Sequence, residues 1–168
     1  SFLKDTESGL YYYEPKKYSL RVDNNDYAVI DGLTNNTSFG TTISSMTGDY
    51  NSAFGRTSLE SCTSGTGNTG IGIWALKSVN TGIENTAIGY KAGCGNSGTA
   101  IITGNYNTFV GADTTASTDS AVQLSTAIGY GSRITKSDQI VLGRTTSAPD
   151  VYIPGKVGIG TTSPTTTC

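Results

Sequence analysis

Among the acids, Asp49, Glu84, Asp113 and Asp119 are those that could meet across chains as a pair able to hydrolyse a glycosidic bond. That reaction needs two carboxyl groups about 5–10 Å apart, flanking a sugar cleft. No pair of the four recurs at a useful spacing, and isolated surface acids are ordinarily solvated. Other chemistry is excluded more directly. The chain has no histidine and three cysteines, Cys62, Cys94 and Cys168, with no C-x-x-C pair. Thiolate zinc sites and histidine-based catalysis therefore fall away. The odd number and irregular spacing of the cysteines argue against a disulfide framework. Gly65-Thr-Gly-Asn-Thr-Gly70 matches the dinucleotide fingerprint G-x-G-x-x-G, but that motif needs a preceding strand and a following helix. Here its glycines fall on positions of a repeat. The expectation is a protein that is not an enzyme, with no catalytic residue, no cofactor and no metal.

Three aromatic residues have a different kind of chemistry. Trp74, Tyr90 and Tyr130 each follow a glycine that closes a repeat unit. Aromatic rings beside polar turns can stack on sugar rings, which makes these three candidate receptor contacts. Equally, they can pack between chains. Asn35-Asn36-Thr37-Ser38 contains two overlapping glycosylation sequons, relevant only in a eukaryotic secretory host.

The elements that position these residues are set by composition and repetition. Of 168 residues, 35% are hydrophobic and 14% charged, against about 45–50% apolar in an ordinary globular domain. Small residues, Gly, Thr, Ser and Asn, take up the difference, so the core must be thin or shared between chains. The net charge of -2 and the 10 Tyr, with Thr, Ile and Val spread evenly, favour strands over disorder. There is no basic patch in the sequence, so nucleic acid is not an expected partner. No apolar run nears the roughly 20 residues of a membrane-spanning helix, so membrane insertion is not expected. The chain begins at Ser1 with no signal peptide, which reads as a piece of something longer.

A five-residue unit recurs as Asn36-Thr-Ser-Phe-Gly40, Asn51-Ser-Ala-Phe-Gly55, Asn68-Thr-Gly-Ile-Gly72, Asn85-Thr-Ala-Ile-Gly89, Asn107-Thr-Phe-Val-Gly111 and Ser125-Thr-Ala-Ile-Gly129. A weaker copy ends at Gly143, and the closing glycines stand 15, 17, 17, 22, 18 and 14 residues apart. Such a period is too short for helix-pair repeats of about 33–47 residues. It suits a solenoid coil of two short strands and two turns. Phe39, Phe54, Ile71, Ile88, Val110 and Ile128 are expected to point inward as the repeat core. Gly40, Gly55, Gly72, Gly89, Gly111 and Gly129 are expected at corners needing positive φ or close backbone approach. The asparagines are expected to hydrogen-bond along the axis as a ladder. Thr37, Ser52, Thr69, Thr86, Thr108 and Thr126 form one file in register, the kind of array an ice-binding face uses, although uneven spacing puts insertions on a face that would have to be flat. Cys62 and Cys94 lie two coil steps apart, about 9–10 Å, beyond the roughly 7 Å a disulfide tolerates; both are expected to be unpaired, small and buried. The irregular steps around 94–103 and 113–120 are where outer insertions, and hence a partner, are expected.

The ends do not repeat. Residues 1–31 read as an N-terminal β cap or adaptor of two or three strands with a turn at Asp23–Asp26, residues 32–143 as the β-roll, and residues 144–168 as a C-terminal hairpin around Pro154-Gly155 followed by a neck or linker.

Glu84-Asn-Thr-Ala-Ile-Gly-Tyr-Lys-Ala-Gly93 and Leu124-Ser-Thr-Ala-Ile-Gly-Tyr-Gly-Ser132 resemble the head repeats of YadA-like trimeric adhesins, which also occur in phage and viral tail fibres. Lys156-Val-Gly-Ile-Gly-Thr-Thr-Ser-Pro164 is similar to the fibre segment that precedes an intramolecular chaperone domain. The resemblance spans roughly residues 36–164. It implies an all-β fold: a left-handed parallel β-roll of about seven short coils, homotrimeric, with β caps at both ends. The function it implies is a structural and adhesive segment of a virion-surface or extracellular fibre that contacts a host cell-surface glycan or protein receptor. The missing membrane anchor favours a virion fibre. A fibre-borne polysaccharide depolymerase with interchain carboxylates is the alternative, and an ice-binding solenoid a lesser one.

Overall fold

The computed structural model describes residues 9–13, 17–22, 25–41, 45–94, 103–116, 121–144 and 151–152. These residues form strands and turns with no helix. The strands are β1 (Gly9–Tyr13), β2 (Lys17–Val22), β3 (Asn25–Asp31), β4 (Asn36–Phe39), β5 (Ser52–Phe54), β6 (Thr69–Ile71), β7 (Thr86–Ile88), β8 (Thr108–Val110), β9 (Thr115–Ala116), β10 (Thr126–Ile128), β11 (Arg133–Ile134) and β12 (Ile140–Leu142).

Each five-residue unit is one strand. β4, β5, β6, β7, β8, β10 and β12 pair in parallel, in that order, so that each unit lies on the one before it. The register is constant: Thr37, Ser52, Thr69, Thr86, Thr108, Thr126 and Ile140 face one another along the stack. The result is a β-solenoid of about five turns, fewer than the seven expected. A repeat unit marks a strand, whereas a turn needs a complete return segment. The first strand is entered from an antiparallel neighbour and the last ends the described stack. The return side also differs from expectation. Among the described residues, a second strand pair forms only between β9 and β11. In the regular coils, tight turns over 56–61 and 73–78 take its place. Their backbones still bond from coil to coil, with Leu59 N–H donating to Ala75 O (3.0 Å) and Leu76 N–H to Ala92 O (2.9 Å).

The expected inward residue is corrected. Phe39, Phe54, Ile71, Ile88 and Ile128 point out of the coil, with 39–45% of their surface exposed, and Val110 is half-buried. The buried partners are the residues one place earlier: Ser38, Ala53, Gly70, Ala87, Phe109 and Ala127. The reason is the two-residue period of a strand. Each asparagine is buried, so the residue two places on is buried with it. The apolar residue, three places on, must then face outward alongside Thr.

The interior is filled mainly from the return segments, by Leu59, Leu76, Val79, Val122 and Ile134, with Cys62 and small alanines between them. Burying each large aliphatic chain is worth about 1.5–3 kcal/mol. One exchange of volumes stands out. The position of Leu59 and Leu76 is taken in the next coil by Gly93, whose missing Cβ would lie 2.7 Å from Leu76 Cδ2 and 3.0 Å from Phe109 Cδ2. Phe109, where the preceding rungs carry Ser, Ala or Gly and β12 carries Val141, fills the space that Gly93 leaves.

Upstream, β1, β2 and β3 form an antiparallel meander, and β3 pairs antiparallel with β4. The first rung therefore has a bonded neighbour on that side. Alternation continues across the join: Ser19, Val29 and Ser38 are buried in register, while Tyr18 with Ile30 and Leu20 with Ala28 share the outward side with Thr37 and Phe39. The expected turn begins at Asp23 and Asn24, outside the described residues, and its Asn25 and Asp26 belong to β3. The hairpin at Pro154-Gly155 and the tail also lie outside the described residues.

Candidate functional site: an asparagine ladder, an apolar face and an aromatic-basic corner

The ladder forms as the sequence leads one to expect. Asn68 N–H and Nδ2 donate to Asn51 Oδ1 at 2.9 and 3.1 Å, and Nδ2 also donates to Gly82 O at 2.8 Å. Asn85 repeats this on Asn68 Oδ1 and Gly104 O, and Asn107 on Asn85 Oδ1 and Val122 O. Both amide hydrogens and both oxygen lone pairs of the middle asparagines are used, which is the full capacity of the group. Asn36 and Asn51 begin the file and Ser125 ends it, its N–H donating to Asn107 Oδ1 and its hydroxyl to Gln123 O at 2.8 Å, with Lys136 O also near at 3.2 Å. Asn36 of the overlapping sequons is thus buried in the ladder, whereas Asn35 is exposed.

The corner glycines meet both expected needs. Gly55, Gly72, Gly89 and Gly111 have φ between 123° and 133°. A Cβ on Gly72 would lie 2.5 Å from Gly89 O. The same packing explains the dinucleotide-like motif. Gly65 O accepts from Asn51, Gly67 turns at φ 70°, and a side chain on Gly70 would strike Ser58 Oγ. No helix follows, so the glycines answer to coil geometry.

On the outer side of the sheet, Phe39, Phe54, Ile71, Ile88, Val110, Ile128 and Leu142 form one unbroken file beside the Thr file. Phe39 and Phe54 stack with ring centroids 5.2 Å apart.

At the corner beyond this face, the predicted aromatic contacts separate into two places. Trp74 and Tyr90 come together, with ring centroids 5.7 Å apart. Tyr130 does not join them: β8 lies between the strands that precede Tyr90 and Tyr130, and Tyr130 instead has Arg144 over its ring at 5.6 Å. Trp74 also gathers cations that the sequence reading missed. Lys91 Nζ lies 5.0 Å from the indole centroid, Lys77 Nζ 5.6 Å and the Arg56 guanidinium 5.9 Å. Lys91 is also 5.2 Å from the Tyr90 ring, and Glu60 pairs with Lys77 at 3.2 Å. Arg56 and Tyr90 are the first residues after their corner glycines, and Trp74 and Lys91 the second, both with left-handed backbones at φ 64° and 56°. Counting from each corner glycine would have found this cluster.

The remaining candidates stay apart. Asp49 and Glu84 lie on the turn preceding the asparagines, while Asp113 lies past a corner glycine on the other side of the strand; Asp119 is outside the described residues. Among the described residues no three His, Cys, Asp or Glu side chains are grouped to hold a metal ion. Cys62 and Cys94 are free, as expected; Cys62 is buried but Cys94 only half-buried. Burial pushes both thiols above their ordinary value. The steps at 95–102 and 117–120 lie outside the described residues. No helix among the described residues is long and apolar enough to cross a membrane. Compared with known proteins, the chain matches no family profile, no curated protein and no solved structure.

Proposed function

We infer that this chain is a structural and adhesive segment of a homotrimeric surface fibre, a left-handed parallel β-roll whose outer sheet face is buried against two other copies. The observation that carries this reading is the apolar file. Side chains that are wholly buried in ordinary cores stand outward at every rung, across seven stacked strands. Stacked at about 4.8 Å per rung, they make a stripe close to 30 Å long. Exposed apolar patches on this scale mark interaction surfaces. A repeating, self-similar face suits a repeating partner, and a second and third copy of the chain supply one in matching register. The meander carries the same face two strands further, through β3 and β2, which suits an adaptor. In this reading the chain is non-catalytic, sits on a virion or in the extracellular space, and presents its corners to a host glycan or protein receptor.

The reading is tested by passing the protein over immobilised host polysaccharide and measuring both retention and newly formed reducing ends. Retention without reducing ends is expected. Reducing ends formed by the protein would instead support the depolymerase built on interchain carboxylates.

One observation favours a second reading. The Thr file runs in register through β4 to β10 with no insertion on the sheet face, which removes the objection raised by the uneven spacing. An ice-binding solenoid would be a monomer showing thermal hysteresis; a trimer without hysteresis excludes it.

A further inference from the structure

Within an acidic chain of net charge -2, three cations converge on one indole. Lys91, Lys77 and Arg56 all lie within 5.9 Å of the Trp74 ring. They come from three successive rungs, because Arg56, Trp74 and Lys91 follow Gly55, Gly72 and Gly89. Backbone bonds hold those rungs in place: Trp74 N–H donates to Arg56 O at 3.1 Å and Lys91 N–H to Ile73 O at 2.9 Å. Among the described residues Glu60 is the carboxylate paired within the cluster, at Lys77, and Asp113 stands on the next rung, its N–H donating to Tyr90 O at 2.9 Å. Tyr90 stands beside the indole with 45% of its surface exposed. Cation–π contacts at exposed sites are weak. Lys91 and Arg56 can therefore exchange the ring for a better partner at little cost, while Lys77 would also have to share itself with Glu60.

We propose that this corner binds an acidic saccharide, whose ring lies on Tyr90 and Trp74 and whose anionic substituent is held by Lys91, Lys77 and Arg56. The inference rests on the adhesive reading above and names the ligand class for it. Two parts of the cluster select that class. Flat aromatic faces take the C–H face of a pyranose, and the surplus of positive charge needs a carboxylate or sulfate to complement it. A neutral sugar would leave the cations unused, and a bare anion would leave the rings unused. Two rung steps span roughly 9.6 Å, so the site suits a short oligomer.

Trp74 is the single tryptophan, so its emission reports on this corner alone. The 168-residue protein is titrated with a heparin-type sulfated oligosaccharide, an oligouronate, a neutral glucan oligosaccharide and sodium sulfate, following Trp74 fluorescence with calorimetry alongside. Saturable quenching is expected with at least one acidic oligosaccharide, and which one responds distinguishes a sulfate from a carboxylate ligand. Neither the glucan nor sodium sulfate should reproduce it at equal concentration. Binding should weaken with added salt. Lys77→Gln with Lys91→Gln should lower affinity about tenfold or more, and Trp74→Leu should abolish the calorimetric signal, with circular dichroism showing that the fold is kept. Equal binding of the neutral sugar, equal quenching by sulfate alone, or undiminished acidic-sugar binding by the double lysine variant would each overturn the assignment while leaving adhesion standing. A protein retained by no polysaccharide and no host surface would overturn both.

Discussion

The side-chain amide of Asn85 donates to Asn68 Oδ1 and Gly104 O, and its oxygen accepts from the backbone and side chain of Asn107. All of this is buried, so every one of these bonds replaces a bond to water and none can be recovered from solvent. Removing one partner leaves buried groups unsatisfied at about 1–3 kcal/mol each. Asn85→Ala should therefore lower the unfolding free energy by about 2–4 kcal/mol in urea titrations. Asn85→Asp should be at least as damaging, because a carboxylate cannot donate to Gly104 O and would carry a buried charge. Cys62 gives a pH signature. Its buried thiol is raised above the ordinary value, so the folded chain keeps a proton that the unfolded chain releases. The contribution of Cys62 to stability is thus complete below about pH 8.5 and is lost as pH rises past that ordinary thiol value towards the raised one. In urea titrations from pH 7 to 10, the stability gap between the wild type and Cys62→Ala should narrow. A gap that stays constant would contradict the burial.

At the scale of the element, each coil is a strand that alternates, a corner that only glycine accepts, and a return turn that supplies most of the core. Gly72→Ala would force a Cβ to 2.5 Å from Gly89 O at a φ of 129°. Gly131, at φ 65° with its nearest neighbours 3.6–3.7 Å away on the Arg144 side chain, is a milder site: Trp74 and Lys91, also second after their corner glycines, carry side chains at φ 64° and 56°. Gly72→Ala should therefore lower the melting temperature well beyond Gly131→Ala, since it combines a backbone clash with a φ outside the left-handed well that side-chain-bearing residues adopt. Similar losses for the two would contradict this account of the corner. The strands, corner glycines and ladder were legible in the sequence because each repeats a distinctive residue at a fixed place. The facing of Phe39 and Ile88 was also legible in principle. Two residues three places apart on a strand cannot both be inside, and the ladder had already placed Asn there. The return segments were not legible, because Leu59, Leu76, Gly93, Thr115 and Arg133 share a place along the coil without sharing a residue type. The cluster at Trp74 was missed for a related reason: its members are distant in sequence and adjacent only across rungs.

Across the whole molecule, the outward apolar file is the surface that a trimer would cover. Ile88 contributes nothing to the coil's own interior, where Ala87 is the buried residue of the strand. Ile88→Glu should leave the circular dichroism of the sheet intact yet shift the protein to single chains, because three carboxylates would meet at one level of a shared face. Unfolding of the variant would instead put Ile88 inside the coil. The most direct measurement is the mass in solution of the unaltered chain, by light scattering coupled to size exclusion at micromolar concentration. A trimer has three times the chain mass of 17.4 kDa, which is the expected result, and a clean monomer of 17.4 kDa with its apolar file open to water would contradict the proposed trimer.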